Sequence, residues 1–188
     1  MRTRSDFSVS VSPGICFLLA FWMLILPIKW LFAMVAAAGF HELCHYGMVH
    51  LVRGKVISVQ ISGFGARMEV DGLSDGKELI CALAGPAGGL ILLIFARWIP
   101  RIAICAAVQA LYNLLPVYPL DGGRALRCGA TLMLPPDKAD KFCVWAERIA
   151  LCAISVLALY GTIWLDLGLF PVLMAAFLIL KTKLFICQ

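Results

Sequence analysis

The sequence predicts an all-α polytopic membrane protein with about six transmembrane helices and a short β-hairpin between the second and third. Of its 188 residues, 62% are hydrophobic and only 14% are charged, whereas a soluble domain is roughly 45–50% apolar and about 25% charged. A soluble domain of this size has too little interior to bury so much apolar surface, so the excess must face lipid. The mean hydropathy of +0.94 agrees with this. We therefore expect an integral membrane protein whose first partner is the lipid bilayer.

Six stretches are candidates for the spans, since a helix needs about 20 mostly apolar residues to cross the hydrocarbon core. They are residues 14–28, 30–51, 79–99, 102–115, 142–164 and 167–180. We expect the whole chain, 1–188, to be a single membrane-embedded domain. The eight cysteines are scattered along apolar stretches without paired spacing, so we expect free thiols rather than disulfides.

The positions of lysine and arginine predict the orientation, because cytoplasmic loops are enriched in both residues. With the N-terminus inside, all 16 lysines and arginines except Lys29, Arg97 and Arg101 fall on the cytoplasmic side. We therefore expect both termini in the cytoplasm. The net charge of +5 is spread between apolar segments rather than along one stripe, so no nucleic-acid partner is expected.

One segment between the second and third spans has the alternation of β-strands. Residues 55–71 roughly alternate apolar and polar side chains around Gly63 and Gly65, which predicts a short hairpin. Such a hairpin either only connects two helices or presents a sheet edge that can hold an extended peptide by strand addition. These residues alone favour neither alternative.

The second span contains ionisable side chains, which are costly in a membrane and by default indicate a functional site. His41, Glu42 and His45 form the pattern His-Glu-x-x-His. On a helix this spacing puts both imidazoles on one face, where they can bind one zinc ion. The Glu42 carboxylate can then take a proton from metal-bound water and pass it to a leaving amine. The alternative is two buried histidines satisfied by hydrogen bonds beside an unrelated glutamate, but a metal is the simpler compensation.

Asp121 is the best candidate for the third protein ligand that a catalytic zinc usually has. It lies at the cytoplasmic end of the fourth span, just before Arg124, and His45 lies a similar distance before Arg53. The predicted topology therefore brings Asp121 and His45 to a comparable depth on one side of the membrane. An aspartate before Gly122-Gly123 can also serve as a turn or helix-cap residue, and the two roles can coexist. Other potential ligands are less well placed, namely Cys44, His50, Glu147 and Asp166.

Two further features lie near these residues. The amide of Asn113 can donate a hydrogen bond to a developing oxyanion. Alternatively, it satisfies backbone groups that Pro116 and Pro119 free where the helix must break. The segment Gly85-Pro-Ala-Gly-Gly89 in the third span is expected to be a close-packing and kinking element without chemistry.

Together, these motifs resemble those of the site-2 protease family of intramembrane zinc metalloproteases. They are His-Glu-x-x-His in an early span, Ala-Gly-Pro in the next, and Asn-x-x-Pro-x-x-Pro-Leu-Asp-Gly near the end of a later one. The resemblance covers about residues 30–127 and implies a catalytic core there. It implies one zinc ion per chain, held by His41, His45 and Asp121, with Glu42 as the general base. It also favours substrate binding by the hairpin.

The six-span layout is similar to the bacterial branch that includes a sporulation protease. This implies a bacterial cell membrane and an active site towards the cytoplasmic side. We expect neither the nucleotide-binding regulatory domain of that protease nor the PDZ domain of other members. The implied activity is cleavage of a peptide bond in or next to a transmembrane segment of a membrane protein substrate, with a membrane regulatory protein as a further partner. Two alternatives are a non-catalytic relative that binds membrane helices and a membrane zinc transporter or sensor.

Overall fold

The computed structural model describes residues 8–62, 65–166 and 168–186, and 74% of the structure is helical. In chain order, the elements are β1 (Ser8–Val11), α1 (Gly14–Ile25), α2 (Ile28–Leu51), β2 (Lys55–Ser62), β3 (Gly65–Asp71), α3 (Asp75–Ile91), a 3-10 helix (Leu92–Phe95), α4 (Pro100–Asn113), α5 (Asp121–Met133), α6 (Pro136–Trp164) and α7 (Phe170–Ile186). The predictions of a mostly helical chain and of a short β-hairpin, here between α2 and α3, are therefore confirmed.

Within the described residues, two stretches are long enough and apolar enough to cross a membrane, Asp75–Phe95 and Pro136–Trp164. Only 6% of the most apolar part of the second is buried within the protein, as expected of a helix that faces lipid. Helix α2 has 24 residues and a length of about 36 Å, and it contains Lys29, Glu42 and three histidines. Helices α1 and α4 have 12 and 14 residues, and their lengths of about 18 and 21 Å are shorter than the hydrocarbon core of about 30 Å. The number of six spans stays a prediction.

The chain divides into two compact units, and the first ends at Tyr112. Its helices α2 and α3 approach closely because α3 carries small residues on the facing side. A Cβ atom at Gly88 would overlap the Cys44 sulfur, and one at Gly89 would lie 2.9 Å from the Ala106 carbonyl oxygen of α4. Gly85, Gly88 and Gly89 are all buried. The close-packing role predicted for this segment is therefore confirmed, and α3 continues through Pro86.

The first unit also contains a three-stranded sheet in the order β1-β2-β3. Strands β2 and β3 form the predicted hairpin, in antiparallel register from Lys55 opposite Asp71 to Ser62 opposite Gly65. Strand β1 was not predicted and pairs with β2 in parallel, with Val9 opposite Val59. Its four residues are all exposed, so their sequence carries little signal apart from that distant partner.

The second unit begins at Asn113 and contains the unpredicted helix α5. Its second and third residues are Gly122 and Gly123, and glycine disfavours helices by about 1 kcal/mol per residue. The glycines are needed because a Cβ at Gly122 would overlap the Leu114 carbonyl and one at Gly123 would lie 2.6 Å from the Tyr118 nitrogen. The peptide bond between Tyr118 and Pro119 is cis.

Some sequence predictions fall on residues outside the described ranges. They are the hairpin centre at Gly63, the start of the sixth predicted span at Leu167, and the N-terminal Arg2 and Arg4 of the orientation argument. Among the residues that are described, seven of the cysteines are free thiols, as predicted.

Candidate metal centre

Helix α2 places His41 and His45 one turn apart on a buried face. The two side chains are 3% and 9% exposed, respectively. Their Nε2 atoms lie 3.1 Å apart. Two nitrogens bound to one tetrahedral ion at about 2.0–2.1 Å would be about 3.3 Å apart. The imidazoles therefore converge at a separation that suits a shared metal ion.

A backbone carbonyl of α3 orients the ring of His45. Its Nδ1 lies 2.7 Å from the Cys81 carbonyl oxygen, and because a carbonyl only accepts, Nδ1 carries the proton and donates it. The Nε2 atom of neutral His45 is then left with its lone pair, which is the form that binds a metal. A hydrogen bond of this kind to the second ring nitrogen is typical of histidines that ligate metals.

Gly85 of α3 lies directly against both histidines. A Cβ atom at this position would be 2.8 Å from Cε1 of His41 and closer still to Nε2 of His45. The absence of a side chain at Gly85 thus leaves space for both imidazole edges. The sequence predicted close packing here, but it did not show that the packing partners are the candidate ligands.

The third predicted ligand, Asp121, is the first residue of α5, and Leu120 occupies the helix cap position. The alternative role of Asp121 as a helix cap would require it at the position that Leu120 occupies, and Asp121 lies one residue further along. One ligand atom each from His41, His45 and Asp121 lies within 4.8 Å of the others. The structure thus brings together the three residues that the motifs single out as ligands.

These three side chains fit a metal site by their chemistry. Two imidazole nitrogens and one carboxylate oxygen are a ligand set found in catalytic zinc sites, in which the fourth position is left for water or substrate. The burial of both histidines and the fixed tautomer of His45 also suit ligation. The group is therefore a candidate metal-binding site.

The other predicted site residues lie on the same elements but have different surroundings. Glu42 is partly buried on α2, between the two histidines in sequence, and Asn113 ends α4. Within the part of the chain that the structure describes, neither belongs to the three-ligand group, and nor do the weaker candidates Cys44, His50, Glu147 and Asp166. The roles of Glu42 and Asn113 stay predictions.

Comparisons with known proteins agree with this fold. A solved structure, the site-2 protease from Methanocaldococcus jannaschii, is similar to this chain with a TM-score of 0.63 and 18% sequence identity. The similarity covers 97% of this chain and 92% of that one. No family model and no curated protein matches the sequence. The chain therefore has the fold of a site-2 protease, and its apolar helices are consistent with a membrane protein.

Proposed function

We propose that this chain is a zinc-dependent intramembrane endopeptidase of the site-2 protease family. The observation that carries the proposal is the group formed by His41, His45 and Asp121, whose ligand atoms lie within 4.8 Å of one another. The site-2 protease fold, found over 97% of the chain, supports the same conclusion. The substrate class would be membrane proteins, cleaved in or next to a transmembrane segment.

A zinc ion held by these three residues would polarise the scissile carbonyl and bring the pKa of bound water towards neutrality. Glu42 would take the proton from that water and transfer it to the leaving nitrogen. Its position next to His41 on α2 supports this role. Asn113 would donate a hydrogen bond to the oxyanion that develops during the attack.

The edge of β3 offers a surface for holding the substrate. A helical substrate hides its carbonyls in internal hydrogen bonds, so a segment must become extended before it can be cleaved. In the described sheet, β2 lies between β1 and β3 and is paired on both sides. Of the two hairpin strands, β3 is therefore the one with an unpaired edge. Strand addition there would bind an extended segment through its backbone.

We also propose a bacterial cell membrane location, with both termini and the active site towards the cytoplasm and with a membrane regulatory protein as a further partner. The excess of lysine and arginine in the predicted cytoplasmic loops supports this orientation.

The first test is the zinc content of the detergent-purified protein, measured by elemental analysis. We expect about one zinc ion per wild-type chain, its loss in His41→Ala and in Asp121→Ala, and its retention in Glu42→Gln. Glu42→Gln keeps the shape of the side chain and removes its ability to accept a proton. Zinc retained by this variant would place Glu42 outside the ligand set.

The second test uses tagged single-span membrane proteins co-expressed with the wild type or with Glu42→Gln. Cleavage by the wild type alone is expected. A wild-type protein without zinc, after purification that preserves the metal, would contradict the proposal and favour the helix-binding alternative. Zinc uptake into liposomes that is unaffected by Glu42→Gln would favour a transporter instead.

A further inference from the structure

The second unit contains a cavity that the proposed chemistry does not use. Its volume is about 410 Å³, within the range of about 300–1,000 Å³ that is usual for ligand pockets. One side is formed by Pro116 and Tyr118, which precede α5. Leu126 and Arg127 of α5 and Val144 and Glu147 of α6 also line it. Its walls are therefore largely apolar, with two charged side chains.

Glu147 is the unusual residue of this cavity. Its Oε1 atom is screened from solvent and has no hydrogen-bond partner among the described residues. It lies within α6, which is long enough and apolar enough to cross a membrane. A buried polar atom without a partner is costly, and an ionisable residue in a span indicates a function by default.

The charges around the cavity favour a cationic ligand. The Arg127 guanidinium is 3.5 Å from the Asp140 carboxylate, and its centre lies 5.9 Å from the ring centroid of Tyr118. Arg127 lines the same cavity as Glu147, but its charge already has an acidic partner, Asp140, at the protein surface. Glu147 forms no ion pair with any described residue of the second unit.

We infer that this cavity is a substrate subsite that takes one lysine or arginine side chain. The aliphatic stem would pack against Pro116, Leu126 and Val144, as long basic side chains do along apolar surfaces. The cationic head would donate a hydrogen bond to Glu147. Transmembrane segments commonly carry lysine or arginine at their cytoplasmic end, the side on which Arg127 is predicted to lie. This inference rests on the proposed function and specifies its substrate class.

Binding to the full-length Glu42→Gln protein, which is expected not to turn over substrate, tests the inference. The probes are two fluorescent transmembrane peptides that differ only in a lysine or a glutamine at the cytoplasmic flank. In phosphatidylcholine nanodiscs, we expect about tenfold tighter binding of the lysine peptide, the size of one charge-assisted hydrogen bond. Adding Glu147→Gln should abolish the preference, whereas adding Asp137→Asn, an exposed carboxylate of the same helix, should preserve it.

A preference that survives Glu147→Gln would overturn the inference. The inference would also be overturned if adding phosphatidylethanolamine abolished the lysine preference in every variant that shows it and left glutamine-peptide binding unchanged. The cavity would then hold a lipid ammonium group. Because binding is measured without turnover, the two claims can fail separately. A protein that binds zinc but lacks the lysine preference would refute only the proposed subsite. A protein that lacks zinc but retains the preference would refute only the proposed protease activity.

Discussion

At the residue scale, the candidate centre depends on what surrounds the ligands as well as on the ligands. The Cys81 carbonyl fixes one ring of the histidine pair, and Gly85 gives both rings the space they occupy. Orienting groups of this kind typically affect metal affinity by about 10–100-fold. A small change at position 85 should therefore affect metal binding although glycine has no side chain that could ligate.

We expect Gly85→Ala to weaken zinc binding at least about tenfold. The added methyl group would collide with both imidazoles, and the hydrogen bond to Cys81 restricts how far the ring of His45 can turn. Competition with a chromophoric chelator measures the affinity. The matched control is Gly76→Ala on the same helix, where an added Cβ meets nothing within 4 Å. Wild-type affinity in Gly85→Ala would show that the histidines adapt and that Gly85 has no positioning role.

Alanine substitutions at two glycines of α5, Gly122 and Gly129, should change the free energy of unfolding in opposite directions. A methyl group at Gly122 would overlap the Leu114 carbonyl, whereas one at Gly129 meets nothing within 4 Å. We expect Gly122→Ala to lower the free energy of unfolding by about 1–3 kcal/mol through overpacking. Gly129→Ala should raise it by about 0.5–1 kcal/mol through its higher helix propensity. Unfolding in mixed micelles measures both, and effects of the same sign would contradict the close approach at Gly122.

At the scale of elements, the pairing of α2 with α3 depends on small residues. Without a hydrophobic driving force between helices in lipid, close van der Waals packing supplies much of the association energy. Gly88 and Cys44 are the closest such pair, because a Cβ at Gly88 would overlap the Cys44 sulfur. This contact supports the prediction that Cys44, in an x position of the motif, is a packing residue rather than a ligand.

A double-mutant cycle tests this contact. Gly88→Ala should destabilise the protein, and adding Cys44→Ala should recover part of the loss because it removes the sulfur and leaves only a Cβ at 3.1 Å. We expect a coupling free energy of about 0.5–3 kcal/mol. Gly39→Ala on α2, where nothing lies within 4 Å of the added Cβ, is the control and should be additive with Gly88→Ala. Strict additivity of Gly88→Ala with Cys44→Ala would mean that the helices separate instead.

The elements that the sequence predicted are those with a local signal. Helix α2 carries an apolar run and a motif, and the hairpin carries its alternation. Strand β1 was missed because its partner lies 50 residues away, with Ser8 opposite Ser58, and no local pattern encodes such a pairing. Helix α5 was missed because Gly122 and Gly123 oppose helix formation locally, while their close approach to the preceding backbone requires them.

The same distinction applies to the site. The candidate ligands could be predicted because metal chemistry restricts the residue types and a helix fixes the spacing of His41 and His45. The contact of Gly85 with the histidines could not, because it depends on how α3 crosses α2. The cavity at Glu147 was also missed, since its lining residues come from separate parts of the chain.

At the scale of the whole molecule, the apolar surface requires a lipid environment. Large apolar side chains remain exposed along α6, including Trp145, Leu157 and Trp164 at 65%, 67% and 74%. At roughly 25 cal/mol per Å² of apolar surface, leaving such a helix in water would cost several kcal/mol. Membrane insertion removes this cost, so the orientation of the inserted chain becomes the remaining question.

The distribution of basic residues predicts that orientation, and two exposed positions test it. Arg101 at the start of α4 is predicted outside and Lys138 near the start of α6 inside. A membrane-impermeant maleimide added to intact bacterial cells should label Arg101→Cys above the wild-type level and leave Lys138→Cys at that level. After permeabilisation, both should be labelled, which controls for reactivity. The reverse pattern in intact cells would place the loop before α6 outside, and with it the cavity at Glu147. The positive-inside rule places the lysine or arginine that flanks a substrate span in the cytoplasm. A cavity on the outer side of the membrane could not bind that side chain.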